Sequence, residues 1–182
     1  TFTTDDNCPA TDDLVVTYGT LPPLTLTTLA APGTATCGDV ITFNVEATNG
    51  FTDLSSLQFS LNWDETQLEY ISQTPTMIGG GIPGVGTTGV ANGELTYVWF
   101  DPADFDGEDL PVATNIWAIT MKVIGSSGVA TLNVSGTPIS VEAINSQTCE
   151  LTVNTLNNVE IELSPISVTC PNGTTVCLNA LP

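Results

Sequence analysis

The sequence predicts an all-β fold: two antiparallel sheets packed as a β-sandwich, jelly-roll in style, with about nine short strands. Three observations carry this expectation. Apolar and polar residues alternate with period two in several segments, as in strands with one face on a core and one in water. Thr, Val, Ile, Gly, Asn and Pro dominate, the residues of strands and tight turns. Long helix-forming stretches are missing.

The elements follow in order. Residues 1–20 form an acidic, Thr-rich N-terminal arm with one β-like run, Leu14-Val15-Val16-Thr17-Tyr18. Residues 21–163 carry the regular pattern. In Val40–Ala47, Ile41, Phe43, Val45 and Ala47 share one face. Leu57–Trp63 alternates more cleanly still. Asp64 with Gln67 three residues later resembles a capping box, which predicts one helical turn before the strand that starts at Leu68. The Gly-rich segment 78–93 is a loop; without a Lys or a following helix pattern it does not cradle phosphate. Further strands are expected at 94–100, 116–124, 128–134, 139–144, 150–154 and 158–163. Pro165 ends the last of these, and residues 164–182 form a C-terminal arm containing the strand-like run Ile166-Ser167-Val168-Thr169.

Charge narrows the function. The 182 residues include 20 acids, one Lys (Lys122), no Arg and no His, a formal net charge of −19. Nucleic-acid binding depends on cations that neutralise phosphates, and anionic membrane surfaces recruit the same residues, so neither partner is expected. No apolar run is long enough to span a membrane. Divalent cations, neutral polysaccharide, or copies of the chain itself under salt screening remain as partners. A chain with one Lys and no Arg also offers trypsin-like proteases little, which suits an extracellular setting. It does not begin with Met and shows no apolar leader, so it reads as a mature or excised product.

The five cysteines are Cys8, Cys37, Cys149, Cys170 and Cys177. Without a CxxC pair or any His they predict disulfides in an oxidising compartment rather than a zinc site. Cys170 and Cys177 bracket a Pro-Asn-Gly turn, so they can close a local loop. A Cys37–Cys149 bridge would contribute about 4–5 kcal/mol in the chain-entropy model. The odd number leaves one thiol free or paired between chains, and Cys8, in the polar arm, is the candidate.

The absence of His removes Ser-His-Asp and Cys-His catalysis. Paired carboxylates occur by chance in so acidic a chain, and no enzyme is expected. The best metal candidate is the acidic loop 101–109, in which Asp101, Asp104, Asp106 and Glu108 would surround calcium, with Gly107 allowing the sharp turn. The alternative is a solvated acidic loop. Among the aromatics, Tyr97 and Trp99 share one face of a strand while Val98 and Phe100 share the other. Core packing is the first reading of aromatics in alternating strands; only one face of this strand need be core, so one pair can be exposed, and Tyr97 and Trp99 are the candidate platform for a sugar ring. Asn133-Val134-Ser135 and Asn172-Gly173-Thr174 match glycosylation acceptor sequons.

Four segments carry a family resemblance: the Ala31-Pro32-Gly33 turn, Leu57 to Ile71 (LQFSLNWDETQLEYI), Gly93 to Asp101 (GELTYVWFD) and Ile116 to Gly128 (IWAITMKVIGSSG). Over roughly residues 21–163 their order resembles a cohesin-type domain, the β-sandwich module of cellulosome scaffolds that is related in fold to carbohydrate-binding modules. Phe51-Thr52-Asp53-Leu54 adds the flavour of cohesin-like repeats in secreted bacterial surface proteins. The resemblance implies a non-catalytic protein–protein recognition module. The chain departs from the family in its scarcity of Lys and Arg, its cysteines and its β-capable arms.

Two functions are therefore expected, both at the cell exterior. The first is a structural subunit of an extracellular fibre, a head-to-tail homopolymer. In it Leu14, Val15, Val16 and Tyr18, or Ile166 and Val168, add a strand to a neighbouring copy, and disulfides lock the joint. The alternative is a cohesin-like binding module that recognises another surface protein or a polysaccharide, with the arms as linkers.

Overall fold

The computed structural model describes residues 2–3, 9–10, 24–30, 33–49, 51–102, 106–156, 159–164, 166–169 and 175–178. In chain order the strands are β1 (Phe2–Thr3), β2 (Pro9–Ala10), β3 (Leu24–Ala30), β4 (Thr34–Thr36), β5 (Val40–Ala47) and β6 (Phe51–Trp63). Then follow β7 (Leu68–Pro75), β8 (Gly84–Gly86), β9 (Glu94–Phe100), β10 (Glu108–Leu110), β11 (Thr114–Val123) and β12 (Gly128–Ser135). The last are β13 (Glu142–Asn145), β14 (Glu150–Leu151), β15 (Val153–Leu156), β16 (Val159–Ser164), β17 (Ile166–Thr169) and β18 (Thr175–Leu178). Among the described residues no helix is long and apolar enough to cross a membrane.

Two sheets make the sandwich. The smaller runs β15-β3-β5-β11-β7. The larger runs β14-β13-β6-β12-β16-β4, with β9 and β10 also paired to β6, and β8 beyond β9. The expectation of purely antiparallel sheets is corrected. β15 lies parallel to β3, and β16 lies parallel to β4. In both cases an early and a late strand meet at the edge of a sheet, β15 outside β3 and β4 outside β16, and strands so far apart in sequence can pair in either direction because no hairpin joins them.

Alternation does what the sequence reading required. Along β5, Ile41, Phe43, Val45 and Ala47 are buried while Val40 and Thr42 are exposed. Along β6, Leu57, Phe59, Leu61 and Trp63 face inward. The inner faces meet in an aromatic cluster: Phe59 stacks on Tyr97 at 4.8 Å between centroids, and Trp117 closes on Tyr97 at 5.4 Å. Each Trp has a polar N–H to satisfy, and each finds an acceptor. Trp63 Nε1 donates to Leu68 O, Trp99 Nε1 to Ile78 O and Trp117 Nε1 to Gln73 Oε1.

The Tyr97 hydroxyl differs: it is buried and finds no partner among the described residues. Burial pushes its phenol up from the ordinary tyrosine value. A raised folded pKa means the unfolded chain ionises first, so stability is full below the ordinary value of 10.0 and falls as pH rises above it. Tyr97→Phe removes the orphaned oxygen and is expected to stabilise the fold by about 1 kcal/mol and to lessen the alkaline loss. Urea unfolding at neutral pH and above pH 10 measures both.

Asp64 opens a single turn, as expected, with Gln67 N and Leu68 N both donating to Asp64 O. The reciprocal half of the capping box is missing. Asp64 Oδ1 accepts from Thr66 N and Thr66 Oγ1, while Gln67 Oε1 is buried without a partner among the described residues. A short 3-10 turn at Val90–Asn92, within the expected loop, went unforeseen.

Candidate functional site

The outer face of the larger sheet is set by the same alternation. β6 pairs with β9 so that Ser56 lies beside Phe100, Gln58 beside Val98 and Ser60 beside Thr96. On its other flank Gln58 lies beside Glu142 and Ser56 beside Ile144 of β13. The strand on that flank is broken in two. β12 pairs with β6 only up to Ser135–Ser60, and β13 resumes at Glu142–Gln58. Residues 136–141 bulge over the face between them. Ser60 Oγ pins the bulge, donating to Ile139 O at 3.1 Å and accepting from Ile139 N at 3.0 Å.

Beside the bulge is a shallow depression lined by Ser56, Gln58, Val98, Phe100, Glu142 and Ile144. Gln58 Nε2 holds its rim together, donating to Ser140 Oγ (3.1 Å) and Glu142 Oε2 (3.2 Å). Val98 and Ile144 are half-buried and Phe100 is 58% exposed. An exposed aromatic and two aliphatics within a ring of amide, hydroxyl and carboxylate groups are what a protein partner finds at the centre and rim of an interface. β8 offers only Gly84 and Gly86 on this side, which leaves the face open toward that edge.

The expected platform of Tyr97 and Trp99 is corrected. Tyr97 is 0% and Trp99 1% exposed, because pairing with Phe59 and Leu57 turns both into the core. The exposed face of β9 is the other one, carrying Val98 and Phe100.

The acidic loop is partly described. Asp101 is buried, and its Oδ2 accepts from Gly107 N at 3.0 Å, so this carboxylate closes the loop on itself. Asp106 is exposed, and Glu108 belongs to β10, against Gly79. Asp104 lies outside the described residues. Among the described residues no three His, Cys, Asp or Glu side chains gather as a metal ion requires. The calcium expectation draws no support from them.

Cys37 is a free thiol that donates to Ile124 O at 3.5 Å, and Cys149 is disulfide-bonded. The Cys37–Cys149 bridge is thereby corrected, and its stabilisation with it. Cys37 is the free thiol among the described residues; Cys8, the expected odd cysteine, and Cys170 lie outside the described residues, as does the side chain of Cys177. Leu14, Val15, Val16 and Tyr18 also lie outside them. Ile166 and Val168 fall in β17, which pairs in cis with β18.

Many solved structures share this sandwich. The sixth cohesin of scaffoldin B from Acetivibrio cellulolyticus, solved in complex with a dockerin, superposes with a TM-score of 0.59 at 19% identity, covering 79% of this chain and 100% of that one. A type I cohesin–dockerin complex from Clostridium thermocellum gives 0.61 at 14%, covering 76% and 99%. The second type II cohesin module of the ScaA scaffoldin from Acetivibrio cellulolyticus gives 0.60 at 16%, covering 84% and 97%. No protein-family model matches the sequence, and no curated protein matches it. The chain is thus a β-sandwich of mixed sheets, and its fold is that of a cohesin-type domain.

Proposed function

We propose that this chain is a non-catalytic, extracellular recognition module that binds another protein through the outer face of its larger sheet. The observation that carries this is the Phe100–Val98–Ile144 patch, held on a rigid sheet inside a polar ring. Structures of the same fold are complexes with dockerins, which supports a protein as the partner class. Residues 21–163 are the recognition domain; residues 1–20 and 164–182 are its flanking arms.

The binding module displaces the fibre subunit as the favoured reading. Structures of the same fold hold a partner protein, whereas of the two arms Ile166–Thr169 pairs along one edge with Thr175–Leu178 of its own chain and Leu14–Tyr18 lies outside the described residues.

Affinity capture from the secreted proteins of the source culture, with the full chain as bait, tests the proposal. Val98→Thr with Ile144→Thr keeps the β-branched shape but removes apolar contact. The pair is expected to weaken the captured partner about 30-fold, the effect of losing an interface hot spot. Undiminished capture by the double variant, with an unchanged thermal melt, would refute this face.

A further inference from the structure

A second surface lies at one end of the sandwich. Seven large apolar side chains are exposed among the described residues, and three of them lie at this end, apart from the Phe100 patch of the sheet face: Met77 (59%), Ile82 (77%) and Val112 (69%). They come from two connections that share this end, the one after β7 and the one between β10 and β11, since Pro75 at the end of β7 lies beside Trp117 near the start of β11.

The first connection is built rather than loose. Ile78 is buried, and it exchanges two backbone hydrogen bonds with Gly81 (3.0 and 2.7 Å). That closes a turn which needs positive φ at Gly79 (53°) and Gly80 (81°). Ile78 O accepts from Trp99 Nε1 in the core. Gly81 packs so closely that an added Cβ would sit 3.0 Å from Pro102 Cδ, and one on Gly79 would sit 2.1 Å from Glu108 Oε1. Met77 and Ile82 are therefore held out on either side of a buried anchor. A surface that fixes apolar side chains in water marks an interaction site.

Charge selects the occupant. Asp106, Glu108 and Asp109 belong to this end. The chain's one cation, Lys122, sits at the opposite end of β11, 4.0 Å from Glu69. A second copy would bring carboxylates against carboxylates at a net charge of −19 each, and an anionic lipid surface would be repelled likewise. We propose that this loop end is a docking surface, distinct from the sheet face, for a segment of another protein in which Lys or Arg alternates with apolar residues.

Isothermal titration calorimetry on the full chain tests it, with two synthetic peptides as probes, one of alternating lysine and leucine and one of alternating glutamate and leucine. The lysine peptide is expected to bind, to weaken as salt rises from about 0.05 M to about 0.5 M, and to weaken at least tenfold in Met77→Ser/Ile82→Ser, which keeps every charge. The glutamate peptide gives no heat. Unchanged affinity in that variant means charge alone and overturns the proposal. So does equal binding of the two peptides, or no heat from either. Loss in Val98→Thr/Ile144→Thr instead assigns the peptide to the sheet face and likewise overturns it, leaving the recognition reading intact.

Discussion

Trp99→Ala is expected to lower stability by about 3–5 kcal/mol, the cost of emptying a buried large aromatic site. For a chain of this size that is a fall in melting temperature of roughly 10 °C. Trp99 is 1% exposed, and its indole N–H is bonded to Ile78 O, so the substitution also frees the turn that carries Met77 and Ile82. Its neighbour gives the contrast. Phe100→Ala, one residue on and facing water, is expected to cost under about 1 kcal/mol of stability, since exposed side chains contribute little to folding. Its effect belongs to binding. Thermal and urea unfolding of the two variants separates them. Equal losses would mean that the face assignment of β9 is wrong.

Gly93→Ala is the second large effect. Gly93 follows the 3-10 turn at Val90–Asn92 with φ of 70°, a conformation that costs an L-residue about 1–2 kcal/mol. Space adds to this. A Cβ at Gly93 would lie 2.1 Å from Trp63 O, a backbone atom that cannot swing aside. Gly93 O also accepts from Trp63 N at 3.0 Å, tying the end of β6 to the start of β9. Strain and forced separation together are expected to cost about 3 kcal/mol. Gly33→Ala is the control. Among the described residues nothing lies within 4 Å of a Cβ there, so the change is expected to be near neutral. Urea midpoints measured side by side check the pair.

Much of the fold was legible because a half-buried strand declares itself through period two. β5 and β6 show it most clearly, since apart from Val40 the positions that alternate with their buried residues are polar. β9 does not, because both its faces are apolar or aromatic. Phase there depends on which residue of β6 sits beside which residue of β9, a long-range register that local alternation does not contain. A usable signal was present. Gln58, Ser60 and Asn62 mark the outer face of β6, and any register pairing Gln58 with Val98 puts Phe100 outside. The parallel edges were hidden for the same reason; the break around Pro138 was read between the strands expected at 128–134 and 139–144, but not that it runs on to residue 141. Cysteine pairing was illegible in principle: five cysteines are compatible with many pairings, and only the fold shows that Cys37 stays free.

The central claim is that a protein partner sits on the outer face of the larger sheet. Methyl-labelled NMR of the full chain, with and without the captured partner, tests it most directly. The account predicts that the methyls of Val98 and Ile144 shift on binding while those of Ile41 and Ile119, buried on the inner face of the smaller sheet, stay in place. Partner binding that leaves Val98 and Ile144 unmoved would contradict it.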